Sequence, residues 1–87
     1  MPTYLVFRTV GELSEAEIEA ASRRAVEVDE QMPDLRWVRS YYSSEEGKLY
    51  CEYEAPGVDL VLEHSRRAGM PVDRASVVQA LEPSMFW

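Results

Sequence analysis

Eighty-seven residues, 46% apolar and 29% charged, describe a single globular domain spanning 1–87 and exclude a disordered chain. The formal charge of −7 argues against a nucleic-acid partner, and a single cysteine excludes an intrachain disulfide or a thiolate zinc cluster. No apolar run approaches the ~20 residues of a membrane span, and no basic segment followed by an apolar one opens the chain, so a soluble cytoplasmic protein is expected.

Thr3 to Thr9 is a strand by its β-branched and aromatic content, and Tyr4/Val6 with Leu5/Phe7 make it apolar on both faces. Such a strand belongs at the centre of a sheet. After Gly11 the first helix announces itself: Ser14 is the N-cap, Glu17 completes a capping box, and Leu13 can staple against Ile18. Ile18, Ala21, Ala25, Val28 and Met32 form one apolar stripe, and Pro33 ends the helix near Gln31. Eight acidic residues lie between Glu12 and Asp34 against only Arg23 and Arg24, which reads as a solvated helix face or, alternatively, as a docking surface for a basic partner.

Leu35 to Ser43 and Lys48 to Glu54 are the second and third strands, joined by the turn Ser44 to Gly47. Pairing Ser43 with Lys48 puts Tyr42 opposite Leu49, Tyr41 opposite Tyr50, Ser40 opposite Cys51 and Arg39 opposite Glu52. That register predicts one face of Val38, Ser40, Tyr42, Leu49, Cys51 and Tyr53. The other carries Trp37, Arg39, Tyr41, Tyr50, Glu52 and Glu54, with Arg39 and Glu52 in a cross-strand ion pair. A second helix is expected from about Val58 to Ala68, buried through Val58, Val61, Leu62, Ser65 and Ala68 and closed by Gly69. Ser76 to Glu82 is the expected fourth strand, stopped by Pro83.

The order β-α-β-β-α-β is that of a ferredoxin-like α+β sandwich, a four-stranded antiparallel sheet with two helices on one face. The opposite face would then expose Trp37, Tyr41 and Tyr50. A homodimer packed sheet on sheet is the simplest cover, and the apolar end Met85-Phe86-Trp87 points the same way.

Few residues offer chemistry. Cys51 is expected as a buried structural thiol. His64, the only histidine, falls on the flank of the second helix, either partly exposed or as a metal ligand. Glu52 lies on the open face, as the partner of Arg39 or as a carboxylate for a metal or a proton. His64 and Glu52 are thus the candidate metal ligands. No phosphate loop, dinucleotide glycine pattern or triad spacing is present.

Tyr50-Cys51-Glu52-Tyr53-Glu54-Ala55-Pro56, followed by His64 to Pro71 with its His-x-x-x-x-Gly-x-Pro spacing, resembles a small bacterial ferredoxin-like domain family of uncharacterised function. The resemblance covers nearly the whole chain. It implies the fold and a dimer, and, from one branch of the family, nickel as a cofactor. That branch carries further histidines in the first strand, the first helix and beside the glycine after the second helix. Here Arg8, Arg23 or Arg24, and Ala68 occupy those regions, and only His64 carries over. The leading expectation is a dimer that binds a transition metal or a small ligand. The alternatives are a dimeric α/β-barrel type enzyme with a small-molecule cavity, or a regulatory interaction module.

Overall fold

The computed structural model describes all residues, Met1–Trp87, and contains no helix long and apolar enough to cross a membrane. The chain runs β1 (Thr3–Thr9), α1 (Glu15–Gln31), β2 (Arg36–Ser43), β3 (Lys48–Glu54), α2 (Val58–Arg67), β4 (Arg74–Val78) and a final 3-10 turn, Pro83–Phe86. The four strands form one antiparallel sheet in the order β2-β3-β1-β4, so β1 and β3 are central. This is the ferredoxin-like α+β fold, with both helices on one face of the sheet.

Local chemistry accounts for most of these boundaries. The Ser14 hydroxyl accepts from the Glu17 amide at 3.1 Å, and the Ser14 amide donates back to the Glu17 carboxylate at 3.0 Å, closing the capping box that starts α1. Gly47 ends the β2–β3 turn with φ +65, and its carbonyl oxygen accepts from the Val10 and Gly11 amides at 2.9 and 3.0 Å. One turn therefore anchors the end of β1 as well as its own hairpin. The Tyr42 hydroxyl adds a second tie, accepting from the Leu13 amide at 2.7 Å.

The expected hairpin register holds from Ser43↔Lys48 to Arg39↔Glu52, and the Arg39–Glu52 ion pair forms at 3.5 Å. It then breaks. A bulge between Trp37 and Arg39 brings Trp37 opposite Tyr53, which returns it to the helix-covered face rather than the open one. There the indole Nε1–H donates to Ser40 Oγ at 2.9 Å, and the Trp37 amide donates to Asp29 Oδ1 at 3.0 Å. The aromatic groups of the open face are consequently Phe7, Tyr41 and Tyr50. Phe7 and Tyr50 meet edge to face at 5.8 Å, and the Arg74 guanidinium lies 4.2 Å over the Phe7 ring.

Two further expectations are corrected. β4 covers Arg74–Val78 rather than Ser76 to Glu82, because its partner β1 begins at Thr3, which already pairs with Val78. Beyond that pair no backbone remains to bond to, and Leu81, Met85, Phe86 and Trp87 are exposed. On α2, Val61, Ser65 and Ala68 face inward as expected, but Val58 and Leu62 face solvent and His64 joins the buried set, which stands at i, i+3, i+4 and i+7. The apolar pattern alone favours a stripe centred further toward Val58 and Leu62. The observed one is possible because Tyr53 and Arg8 supply polar partners beneath His64 and Ser65.

The core consists of Val6 and Cys51, Tyr53 and Ala55 from the sheet, Val28 and Met32 from α1, Leu35 before β2, and Val61 and Ala68 from and after α2. The C-terminal half of α1 is thus sealed against the sheet. Ile18 and Ala21, nearer its start, are only half-buried.

Candidate functional site

Alternation along β1 and β3 sends Val6, Arg8, Cys51 and Tyr53 to the same covered face. Arg8 is fully buried, and its guanidinium makes four hydrogen bonds, all to neutral groups rather than to a carboxylate. Nε donates to Cys51 Sγ at 3.3 Å, Nη1 to the Pro71 carbonyl oxygen at 2.9 Å, and Nη2 to the Tyr53 and Ser65 hydroxyls, both at 3.0 Å. No acid forms an ion pair with it. Burying an unpaired charge is expensive, so the four acceptors are what make this arrangement tolerable.

His64 completes the chamber. It is 0% exposed, not a flank residue. Its Nε2 lies 3.1 Å from the Ala25 carbonyl oxygen, and its Nδ1 3.3 Å from the Tyr53 hydroxyl. A carbonyl only accepts, so Nε2 carries the proton and Nδ1 accepts from Tyr53. The chain of donors then runs from Arg8 to Tyr53 to His64 to Ala25, and no buried side-chain polar atom lacks a partner. Burial holds the His64 pKa below its ordinary value, with the Arg8 charge acting in the same direction. The Ala25 carbonyl and the Asp29 charge oppose it. Burial likewise pushes Tyr53 up to about 12, although the Arg8 charge and hydrogen bond pull the other way.

Glu52 stands elsewhere. It follows Cys51 on β3, points to the open face, and pairs with Arg39. Alternation therefore separates His64 and Glu52 by the thickness of the sheet, and the structure does not bring them together. No group of three or more His, Cys, Asp or Glu side chains converges anywhere in the chain. With both ring nitrogens of His64 already engaged, the side chains of this chain by itself do not fit a nickel centre.

A groove lies between the half-covered start of α1 and the sheet. Its inner end is an apolar cavity of about 40 Å³ among Ile18, Ala25, Trp37, Cys51 and Tyr53. Leu13, Ala21, Leu49 and Met70 line both this cavity and a wider cleft of about 440 Å³, whose rim includes Thr9, Glu17 and Arg24. Arg24 is held there by donating Nε–H to the Ala68 carbonyl oxygen at 3.2 Å. The inner cavity has room for a few waters, whereas the cleft has the volume of a small-molecule site.

Arg8 is the residue that reading for chemistry undervalued. The signal was present: Tyr4, Val6 and Arg8 share one face of a strand that is apolar on both sides, and an arginine there conflicts with its neighbours.

The family model described as "Nickel responsive protein SCO4226-like" matches residues 4–78. The crystal structure of SCO4226 from Streptomyces coelicolor A3(2) superposes with a TM-score of 0.81 at 16% identity, covering 92% of this chain and 99% of that one. At that identity the likeness speaks for the fold. No curated protein matches the chain. With a match over most of its length, the chain belongs to the SCO4226-like family of nickel responsive proteins.

Proposed function

We propose that this protein is a cytoplasmic homodimer, packed through its open sheet faces, that binds a small molecule with an apolar body and a polar head in the groove beneath α1. The observation that carries the binding assignment is the groove itself: an apolar inner end under Trp37 and Tyr53, widening to a rim that offers a hydroxyl, a carboxylate and a guanidinium. Support for the dimer is the arrangement of the open face. Phe7, Tyr41 and Tyr50 are flanked by the ion pairs Arg39–Glu52 and Arg36–Glu54, an apolar centre with a polar margin.

Two measurements test this reading. Sedimentation velocity at micromolar concentration is expected to give a dimer for the wild type and a monomer for Tyr41→Lys. A monomeric wild type sinks the dimer. The fluorescent probe anilinonaphthalene sulfonate, an apolar body with an anionic head, is expected to brighten on the wild type and not on Ala21→Trp, which fills the shared wall of the groove. Equal brightening of both proteins would place the probe elsewhere.

The family description favours nickel as a second reading. Because one protomer does not assemble the ligands, such a site would draw on two chains, with Glu52 of the open face as the contributor. Loss of nickel binding in Glu52→Gln at unchanged dimer affinity is the result this reading requires.

A further inference from the structure

The rim of the cleft beneath α1 carries three polar side chains, and two of them are engaged within the protein. The Thr9 hydroxyl accepts from Lys48 Nζ at 2.7 Å and gives its own proton to Asp73 Oδ2. The Glu17 carboxylate accepts from the Ser14 amide at 3.0 Å, and that bond, followed by the Ser14 side chain, holds its pKa below the ordinary value. Its charge also lies in the first turn of α1, where the helix dipole already answers it. The backbone amides around the cleft are committed as well. Val10 donates to the Gly47 carbonyl oxygen, Leu13 to the Tyr42 hydroxyl, Gly69 to Arg66 and Met70 to Ser65.

Arg24 is different. Its one hydrogen bond runs from Nε to the Ala68 carbonyl oxygen, which lays the guanidinium across from α1 to the end of α2. No carboxylate pairs with it, whereas Arg23, its neighbour on the same acidic helix, takes Glu19 at 2.6 Å. The reason is positional: one turn back from Arg23 stands Glu19, but one turn back from Arg24 stands Ala20, part of the cleft wall. With Nε occupied, the side-on edge of the guanidinium is closed. The end-on fork of Nη1 and Nη2 remains, two parallel N–H donors whose spacing matches a carboxylate. Glu17 lies seven residues earlier on α1, about 10 Å along the helix axis, so its charge turns an anion toward the Arg24 end of the cleft.

We propose that the ligand of this groove is an apolar monocarboxylate, an alkanoate or aryl-alkanoate, held by its carboxylate on the Arg24 Nη fork with its body over Ala21, Leu49 and Met70. This inference rests on the small-molecule reading of the groove and adds the charge of the head, its position and the residue that selects it. A fork that only donates rewards an acceptor, and its charge rewards an anion over a neutral hydroxyl.

Calorimetric titration with octanoate, octanol and octylamine compares three heads on one chain. The wild type is expected to bind octanoate about 10-fold tighter than octanol, the worth of one charge-assisted contact, and octylamine more weakly still. Arg24→Gln should lose that preference by weakening octanoate alone, and Arg24→Lys should keep part of it, since the charge stays and the fork is lost. Ala21→Trp should abolish binding of octanoate and octanol alike. Arg24 is exposed, so Arg24→Gln is expected to keep the wild-type circular-dichroism spectrum; should it not, Arg24→Lys carries the comparison. If octanol or octylamine binds the wild type as tightly as octanoate, the groove reading stands and the carboxylate is overturned. A preference for octanoate that survives Arg24→Gln overturns the role of Arg24. If none of the three binds, the groove reading itself fails, and this inference with it.

Discussion

His64 Nε2 donates to the Ala25 carbonyl oxygen at 3.1 Å, and this bond ties α2 to the middle of α1 across the core. Through Nδ1 the same ring reaches Tyr53 on β3 at 3.3 Å, meeting it edge to face with ring centroids 5.1 Å apart. One side chain thus links both helices to the central sheet.

Removing that link is expected to be costly. His64→Ala leaves the Tyr53 hydroxyl and a helix carbonyl to readjust and opens a cavity beneath α2, for a combined loss of about 2–4 kcal/mol. Urea denaturation measures it, and a loss below about 1 kcal/mol would mean that the chamber relaxes around the gap.

Acid should destabilise the fold in two separate windows. His64 is held neutral by burial, so its folded-state pKa lies below the unfolded value of 6.5. The unfolded chain then takes up the proton first. Stability is full above that value and is lost as pH falls through the folded-state pKa. Glu63, held down to about 2 by Arg66 and Arg67, acts with the same sign between its ordinary 4.5 and about 2. Urea midpoints from pH 8 downward should decline first near the histidine value in the wild type, and His64→Gln should remove that first decline only. Parallel curves for the two proteins would contradict this assignment.

The bulge at Val38 makes opposite predictions for two aromatic residues of one strand. Trp37 packs under α1 beside Tyr53, so Trp37→Ala should lower stability by about 2–3 kcal/mol, somewhat less than a fully buried tryptophan. Tyr41 is 61% exposed on the other face, and Tyr41→Ala should change monomer stability by less than about 0.5 kcal/mol. Denaturation midpoints at low protein concentration decide. Similar losses at both positions would argue that no bulge is present.

Gly47→Ala should cost about 1–2 kcal/mol, since φ +65 disfavours an L side chain. The added Cβ would also lie 3.1 Å from Gly11 Cα, within the junction that joins the hairpin to β1. A control at the α1 N-cap, Ser14→Ala, should cost about 1 kcal/mol and Ser14→Asp almost nothing. Thermal melts of the three variants rank them.

Much of this molecule is legible in its residues because the signals are local. Ser14 and Glu17 mark a helix start, Gly47 a turn, and the alternation of Leu49, Cys51 and Tyr53 a strand with a covered face. None of these needs a distant partner to be recognised. The β-α-β-β-α-β order, the central position of β1, the buried Cys51 and the Arg39–Glu52 pair all follow from such signals. The resemblance of Tyr50 to Pro56 and His64 to Pro71 to a nickel-associated family agrees with the family match over residues 4–78.

Tertiary structure decided what depends on a partner far away in the chain. Apolar spacing placed Val58 and Leu62 beside Val61, Ser65 and Ala68 on the buried face of α2, but hydrogen bonds with the Tyr53 hydroxyl and the Ala25 carbonyl brought His64 inward in their place. Strict alternation placed Trp37 on the open face, and a single bulge moved it beneath α1. The role of Arg8 lay furthest from view, because its four acceptors come from β3, α2 and the segment before β4, between 43 and 63 residues away. A buried charge is defined by its surroundings, and only the folded chain assembles them.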